Sequence, residues 1–412
     1  MKAAVLEEPE LQFGRGRHVD PRFGLLELGP ADREAAAAPR RIAAGVVGTQ
    51  ETIEGLVAWL TRCRDPIDAR PARQPNLFPP FPGFAPDIGF ESELVFDVRH
   101  QRSISTRTLR GAMTAADRTG RVQAAADLFL AEIRVIADRA MPQVILCAPP
   151  LELLQALRPR EDDDQERGCP ELHDLLKARA MEFPVPLQYV LPSTYDETKL
   201  RKLNAALERP KQQQDEATRA WNLHTALYYK AGGYPWALAR EANDLQSCFI
   251  GISFYWEGEE LATSIAQVFN ERGEGVIVRG GPAQLTKGDR APYLRREDAE
   301  ALLTDALAKY RAEHRHLPAR VAAHKTSRFT RGEIEGFEAA ADADGIELLE
   351  LVTIGETMTK FFTPRSGPPF RCTHVVLDDR SQVLYATGSV PFYDTYPGPY
   401  VPQPLAITLH ET

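Results

Sequence analysis

Two short apolar runs constrain this chain more than any other feature. Gln143-Val144-Ile145-Leu146-Cys147 and Leu187-Gln188-Tyr189-Val190-Leu191 are each of strand length, and proline follows soon after each. A helical repeat at Val122, Ala125, Leu128, Phe129, Ile133 and Ile136 precedes the first run, and a second helical stretch separates the two. Helix, strand, helix, strand, with apolar strands bounded by turn signals, predicts a buried parallel sheet of Rossmann-like type. Ligands of such sheets bind beyond the carboxyl ends of the strands. The loop after Leu191 is therefore the first place to look for a site.

That loop opens a chemically dense stretch. Tyr195 and Lys199 are four apart, so on one helix the phenol and the ammonium would share a face and could hold a phosphate. Gln212, Gln213 and Gln214 follow, then Tyr228-Tyr229-Lys230-Ala231-Gly232-Gly233-Tyr234-Pro235-Trp236. Lys230 closes a helical run that stops at the two glycines, and it would add a second cation if the two helices pack together. By themselves these residues also fit a solvated lysine, a core tyrosine and a helix end.

Elsewhere, residues 1–125 read as a mixed, linker-like layer. It has strands near Arg41–Gly48 and Leu94–Val98, a helix over Glu51–Cys63, and a proline- and aromatic-rich loop at Pro75–Phe84. That loop, fixed by its prolines, is a candidate surface for a partner. From Cys248 the pattern changes. Three strands joined by tight turns (Cys248–Trp256, Ala262–Phe269, Gly275–Arg279) precede a helix at Arg296–Glu313 and a strand at Arg320–His324. A helix at Thr330–Ala341 and strands at Glu347–Ile354 and His374–Asp378 complete an RNase H-like order.

A chain of 412 residues, 43% hydrophobic and 26% charged, is long enough for two or three cores. No apolar run reaches membrane-spanning length and no signal peptide opens it, so a cytoplasmic protein is expected. Its five cysteines are scattered, without a C-x-x-C pair, which suggests neither a disulfide framework nor a zinc site. A net charge of −9 argues against coating nucleic acid by bulk electrostatics. It leaves room for a local groove, for which Arg99, Arg102, Arg107, Arg110, Arg118 and Arg121 are candidates, while acid gathers at Glu161–Glu166.

Tyr-x-x-x-Lys, the glutamines and Tyr-Lys-x-Gly-Gly-x-Pro-Trp together resemble the MID domain of Argonaute proteins. Three further stretches agree in order: Glu10–Gly14 with His18–Leu25, Cys248–Ser253, and Thr387–Phe392 with Tyr396–Leu405. The resemblance is to short prokaryotic Argonautes. It implies an N-terminal linker-like region at 1–125, a Rossmann-like MID domain at 126–240 and an RNase H-like PIWI domain at 241–412. It further implies that Tyr195, Lys199, Lys230, a glutamine of the 212–214 run and, more loosely, Gln188 grip the 5′-phosphate of a guide. A Mg²⁺ ion bridging that phosphate and the terminal carboxylate of Thr412 belongs to the same expectation.

Cutting members of the family hold two divalent ions about 4 Å apart on clustered carboxylates. Here Ser253 stands where the first aspartate is expected, and His324-Lys325-Thr326-Ser327 where a later ligand is expected. A hydroxyl and an ammonium are poor substitutes at magnesium, and Lys325 would instead hold a backbone phosphate. The resemblance thus implies a chain that is not itself an enzyme. It would bind a 5′-phosphorylated guide RNA, pair it with complementary single-stranded target DNA, and activate an APAZ-containing effector with a TIR, sirtuin-like or nuclease domain in prokaryotic defence. Two other readings stand beside it. One is a divergent RNase H-like nuclease using Glu257, Asp289 or Glu333, and the other is an α/β protein binding a small nucleotide.

Overall fold

The computed structural model describes residues 1–158, 169–199, 214–239, 245–257, 260–270, 275–288, 290–361, 368–393 and 402–410. They form two compact units, Leu11–Trp236 on the one hand and Met1–Glu10 with Ala237–Thr412 on the other.

In the first unit the strand Arg41–Gly48 is central. One edge pairs in parallel with Glu93–Val95 along its first half and with Gln101–Ser103 along its last. Its other edge pairs in parallel with Val144–Ala148, which pairs in turn with Leu187–Tyr189. Successive side chains point to opposite faces, and both faces are covered. Ile42, Ala44, Val46, Val144, Leu146 and Ala148 belong to a core shared with the helices Gln50–Arg62 and Glu216–Lys230. Val47, Ile145, Cys147 and Leu187 belong to a core shared with Arg118–Ala140 and Leu172–Ala180. Burial on both faces is why these strands read as unbroken apolar runs.

This arrangement corrects three expectations. The boundary placed between 125 and 126 falls inside the helix Arg118–Ala140, and the strand Arg41–Gly48 is no separate layer but the middle of the sheet. The second half of the Pro75–Phe84 loop is interior: Phe81 and Phe84 are buried, their rings 5.3 Å from Trp221 and 4.8 Å from His224 respectively. Its aromatics plug the core rather than present a partner surface. The arginine stretch is mostly engaged at home. Arg118 is buried against Glu171 and the Leu157 carbonyl, Arg102 pairs with Glu132, and Arg99 with Asp97.

In the second unit the described residues form a nine-stranded sheet. Its order is Lys2–Val5, Thr373–Val376, Ser381–Leu384, Leu405–Leu409, Leu348–Glu356, Arg320–Lys325, Ser247–Glu257, Glu260–Asn270, Gly275–Arg279. The last three are joined as antiparallel neighbours, whereas Ser247–Glu257, Arg320–Lys325 and Leu348–Glu356 run parallel. Helices Arg296–His314 and Arg331–Asp344 pack on this parallel part around Ile250, Ile252, Val321, Ala323 and Leu351. This is the RNase H-like order expected from sequence. The strand Lys2–Val5, at the sheet's outer edge, was not anticipated.

Candidate nucleic-acid site

Tyr195 and Lys199 do not share a helix. Pro192–Tyr195 is a single turn that ends at Asp196, whose φ of −139° and ψ of 107° are extended. The backbone then turns again, the Lys199 N–H donating to the Asp196 carbonyl at 3.2 Å. Both residues nevertheless line one cleft of about 360 Å³, together with Glu51, Thr52, Gly55, Trp59, Pro150 and Glu152. These residues follow the carboxyl ends of the strands Arg41–Gly48, Val144–Ala148 and Leu187–Tyr189, where a ligand of a parallel sheet is expected.

Local chemistry shapes this cleft. Thr49 caps the helix Gln50–Arg62 in a reciprocal box with Thr52, and the Thr52 hydroxyl also donates to the Ala148 carbonyl at 2.8 Å, fastening the helix start to the neighbouring strand end. One turn on, Gly55 lets the Tyr195 ring approach. A Cβ there would lie 3.0 Å from Tyr195 Cε2. The Tyr195 hydroxyl and the Trp59 indole N–H are both buried without a hydrogen-bond partner. An orphaned buried donor is costly, so each is a reason for a ligand oxygen to enter. Burial, and behind it the charges of Glu51, Asp196 and Glu152, push the Tyr195 phenol up, keeping it a neutral donor.

The charges in the cleft oppose an anion. Lys199 Nζ lies 2.6 Å from Glu51 Oε1, and this hydrogen bond holds its pKa above the ordinary value. Burial pushes the Asp196 carboxyl up slightly, but bonds from the Thr198 hydroxyl and backbone outweigh it and hold the group below the usual range. Three carboxylates thus surround one ammonium. A phosphate must displace the Glu51 side chain, itself 70% exposed, from Lys199.

The remaining sequence candidates are not brought together. Arg219 and Lys230 lie eleven residues apart on the helix Glu216–Lys230, about 16 Å at 1.5 Å per residue. Arg219 lies beside Glu197, near the cleft, whereas a Cβ on Gly233, just past Lys230, would meet Pro39 Cγ at 2.7 Å, below the amino end of the central strand. Lys230 is held below its ordinary pKa by burial and then by the Lys177 ammonium. It supplies no second cation at Tyr195, and the Tyr-Lys-x-Gly-Gly-x-Pro-Trp stretch has another task. The Tyr228 hydroxyl and the Tyr234 N–H donate to the two oxygens of buried Asp32, at 2.6 Å and 2.9 Å. Gln188 and Gln214 line a separate, smaller cleft with Thr194, Arg219 and Asn222. Gln212, Gln213, Asp289 and Thr412 lie outside the described residues.

Arg219 was missed by sequence reasoning. The available signal was a charge in the buried register of an amphipathic helix, among Ala217, Ala220, Trp221 and Leu223.

In the second unit, Ser253 is exposed at a bulge where the register shifts between Ile252 and Phe254. Lys325 is fully buried, its ammonium 2.5 Å from the equally buried Glu333 and 4.8 Å from the Phe329 ring centroid. Glu333 also accepts from the N–H groups of Leu294 and Thr330 and from the Thr330 hydroxyl. Lys325 therefore does not face a strand backbone, correcting the role given to it, and Glu333 is engaged in a structural pair. Among the described residues no three His, Cys, Asp or Glu side chains converge on an ion-sized space. The donors described here fit neither a two-metal cutting centre nor a cation at the cleft.

No protein-family model matches the chain, and no curated protein matches it. Solved structures do. Clostridium butyricum Argonaute bound to a guide DNA and a 19-mer target DNA matches 100% of this chain and 47% of its own, with a TM-score of 0.60 and 13% identity. A. aeolicus Argonaute matches 100% of this chain and 47% of its own, at a TM-score of 0.52 and 14% identity. Marinitoga piezophila Argonaute in complex with a 5′ OH guide RNA matches 100% and 51%, at 0.56 and 11%. The chain spans about half the length of these proteins. Its fold is Argonaute-like, of the MID–PIWI type.

Proposed function

We propose that this chain binds the 5′ end of a guide strand at the Tyr195–Lys199 cleft and pairs that guide with complementary single-stranded DNA. The observation that carries the reading is the position of the cleft. It lies at the carboxyl ends of a parallel sheet in an Argonaute-like fold, with an unsatisfied tyrosine hydroxyl beside a lysine. In this reading the guide is a 5′-phosphorylated RNA. Its phosphate takes Lys199 from Glu51 and accepts from Tyr195, a charge-assisted bond and a neutral one. Sequence is read by base pairing, and the protein grips backbone.

The reading further has the chain bind without cutting, as a catalytically inactive short Argonaute with MID and PIWI domains. Ser253 and the Lys325–Glu333 pair support it, because neither offers a free carboxylate to a divalent ion. A response to invading DNA would then come from an APAZ-containing effector subunit in the cytoplasm. A Mg²⁺ at the 5′ end would be held by the phosphate rather than by the described acids.

The test is binding of a short labelled RNA, with and without its 5′-phosphate, to the wild type and to Lys199→Ala and Lys230→Ala. Wild type should prefer the phosphorylated strand, Lys199→Ala should lose about 1.5–3 kcal/mol of that preference, and Lys230→Ala should keep it. Equal binding of both strands by the wild type would remove the reading. Incubation of the complex with target DNA and Mg²⁺ or Mn²⁺ should leave the DNA intact; guide-dependent cleavage would refute the non-cutting half.

A further inference from the structure

Arg219 is the most incompletely satisfied cation described in the first unit. Its side chain is 9% exposed, and Nε and Nη1 are buried without a hydrogen-bond partner. Among the described residues its one ion pair is from Nη2 to Glu197 Oε1 at 3.3 Å, to a carboxylate that is 60% exposed. Nε and Nη2 lie on the same edge of a guanidinium, the fork that takes two oxygens of one oxyanion. Glu197 uses half of that fork, at long range, and the other half is empty. A buried guanidinium in this state is unfavourable, and the cleft beside it, about 190 Å³, is lined by the uncharged polar side chains of Gln188, Thr194, Gln214 and Asn222. Gln214 accepts from the Asn222 amide at 2.9 Å, which leaves its own amide N–H groups for a ligand. Among the described residues that line this cleft there is no carboxylate, in contrast to the cleft at Lys199.

We propose that Arg219, with Gln188 and Gln214, forms a second oxyanion site that takes a phosphate of the bound strand in place of Glu197. The identity of the ligand rests on the guide-binding reading; the site itself rests on the half-empty fork. Thr194, on the wall of this cleft, precedes Tyr195, on the wall of the other, so one strand end can engage both. Each cation then has an exposed carboxylate as placeholder, Glu51 on Lys199 and Glu197 on Arg219.

Two measurements test this. The first is thermal unfolding of Lys199→Ala and of Lys199→Ala/Arg219→Gln in inorganic phosphate, against chloride at equal ionic strength. Phosphate should raise the midpoint of the single variant by clearly more than that of the double, which keeps only the general stabilisation by an excluded anion. The second is binding of short RNA with a 5′-phosphate or a 5′-hydroxyl to wild type, Arg219→Gln and Glu197→Gln. Arg219→Gln should bind about tenfold more weakly. A loss confined to the phosphorylated strand identifies the terminal phosphate, and an equal loss for both identifies an internal phosphodiester. Glu197→Gln, at an exposed position, should bind a few-fold tighter, which guards against a folding defect in the arginine variant. Unchanged affinity in Glu197→Gln, together with a folded Arg219→Gln within twofold of wild type, overturns the proposal. If Lys199→Ala loses the phosphate preference while Arg219→Gln binds both strands as the wild type does, guide binding stands and this site falls. If inorganic phosphate acts through Arg219 but no RNA binds, the site stands and the guide reading falls.

Discussion

At the scale of single residues, the molecule's unsatisfied groups make the sharpest predictions. The Tyr195 hydroxyl has no hydrogen-bond partner among the described residues, so Tyr195→Phe should change the unfolding free energy by less than about 1 kcal/mol while weakening phosphorylated-RNA binding several-fold. A loss of stability with unchanged binding would make it an ordinary core tyrosine. Glu51→Gln should tighten binding of the same RNA, because the competitor for Lys199 loses its charge. His224 predicts a pH dependence. Its Nδ1–H donates to the Ala220 carbonyl at 2.8 Å, Nε2 is buried without a partner, and burial lowers its pKa from 6.5 to about 4. The unfolded chain therefore takes up this proton first, and stability falls as pH drops from about 6.5 towards 4. The full loss is on the order of 3 kcal/mol. Urea unfolding at pH 7.5 and 4.5 should show it, and His224→Phe should flatten that part of the profile. Tyr195 and Lys199 were legible as a pair from their spacing, although a one-turn helix and a second turn bring them together rather than a shared helical face. Lys230 was misplaced because spacing along a chain does not say which end of a helix meets a site.

Among elements, strands buried on both faces were the most legible, since their composition records double burial directly. The strand at Val144–Ala148 and the hairpins that open the second unit lie within a residue or two of their expected bounds. What composition does not record is which apolar segments face inward. The Pro75–Phe84 aromatics look the same in sequence whether they cover a surface or fill a core, and here they surround Trp221 and His224. The helix Arg331–Asp344 shows a related limit. Its capping residue, Glu333, reads as an ordinary helix-start acid, yet it is the buried partner of Lys325 on the adjacent strand. Lys325→Met alone leaves that carboxylate uncompensated and should cost about 3–5 kcal/mol. Lys325→Met/Glu333→Gln should recover part of the loss, since glutamine carries no charge and keeps an oxygen for one of the two backbone donors, Leu294 or Thr330. Chemical denaturation of the three proteins decides this, and additive losses would contradict a coupled pair.

For the whole molecule, the division into Leu11–Trp236 and the remainder differs from the three-part division expected, because the sheet of the first unit recruits strands from both sides of position 125. A fragment of residues 11–236 should fold cooperatively by itself, with a single unfolding transition and dispersed amide signals. The second unit has no such independence in time. Its edge strand Lys2–Val5 leaves the ribosome well before its partner Thr373–Val376, which follows about 370 residues later. At roughly 5–20 residues per second, that is about 20 to 70 seconds. Throughout that interval the nascent chain carries an unpaired β-edge with exposed side chains, and the first unit is completed before that edge is covered. Any chaperone or neighbouring chain that captures those few residues competes with this pairing, so Lys2–Val5 acts as a clasp that closes only once Thr373–Val376 has been made.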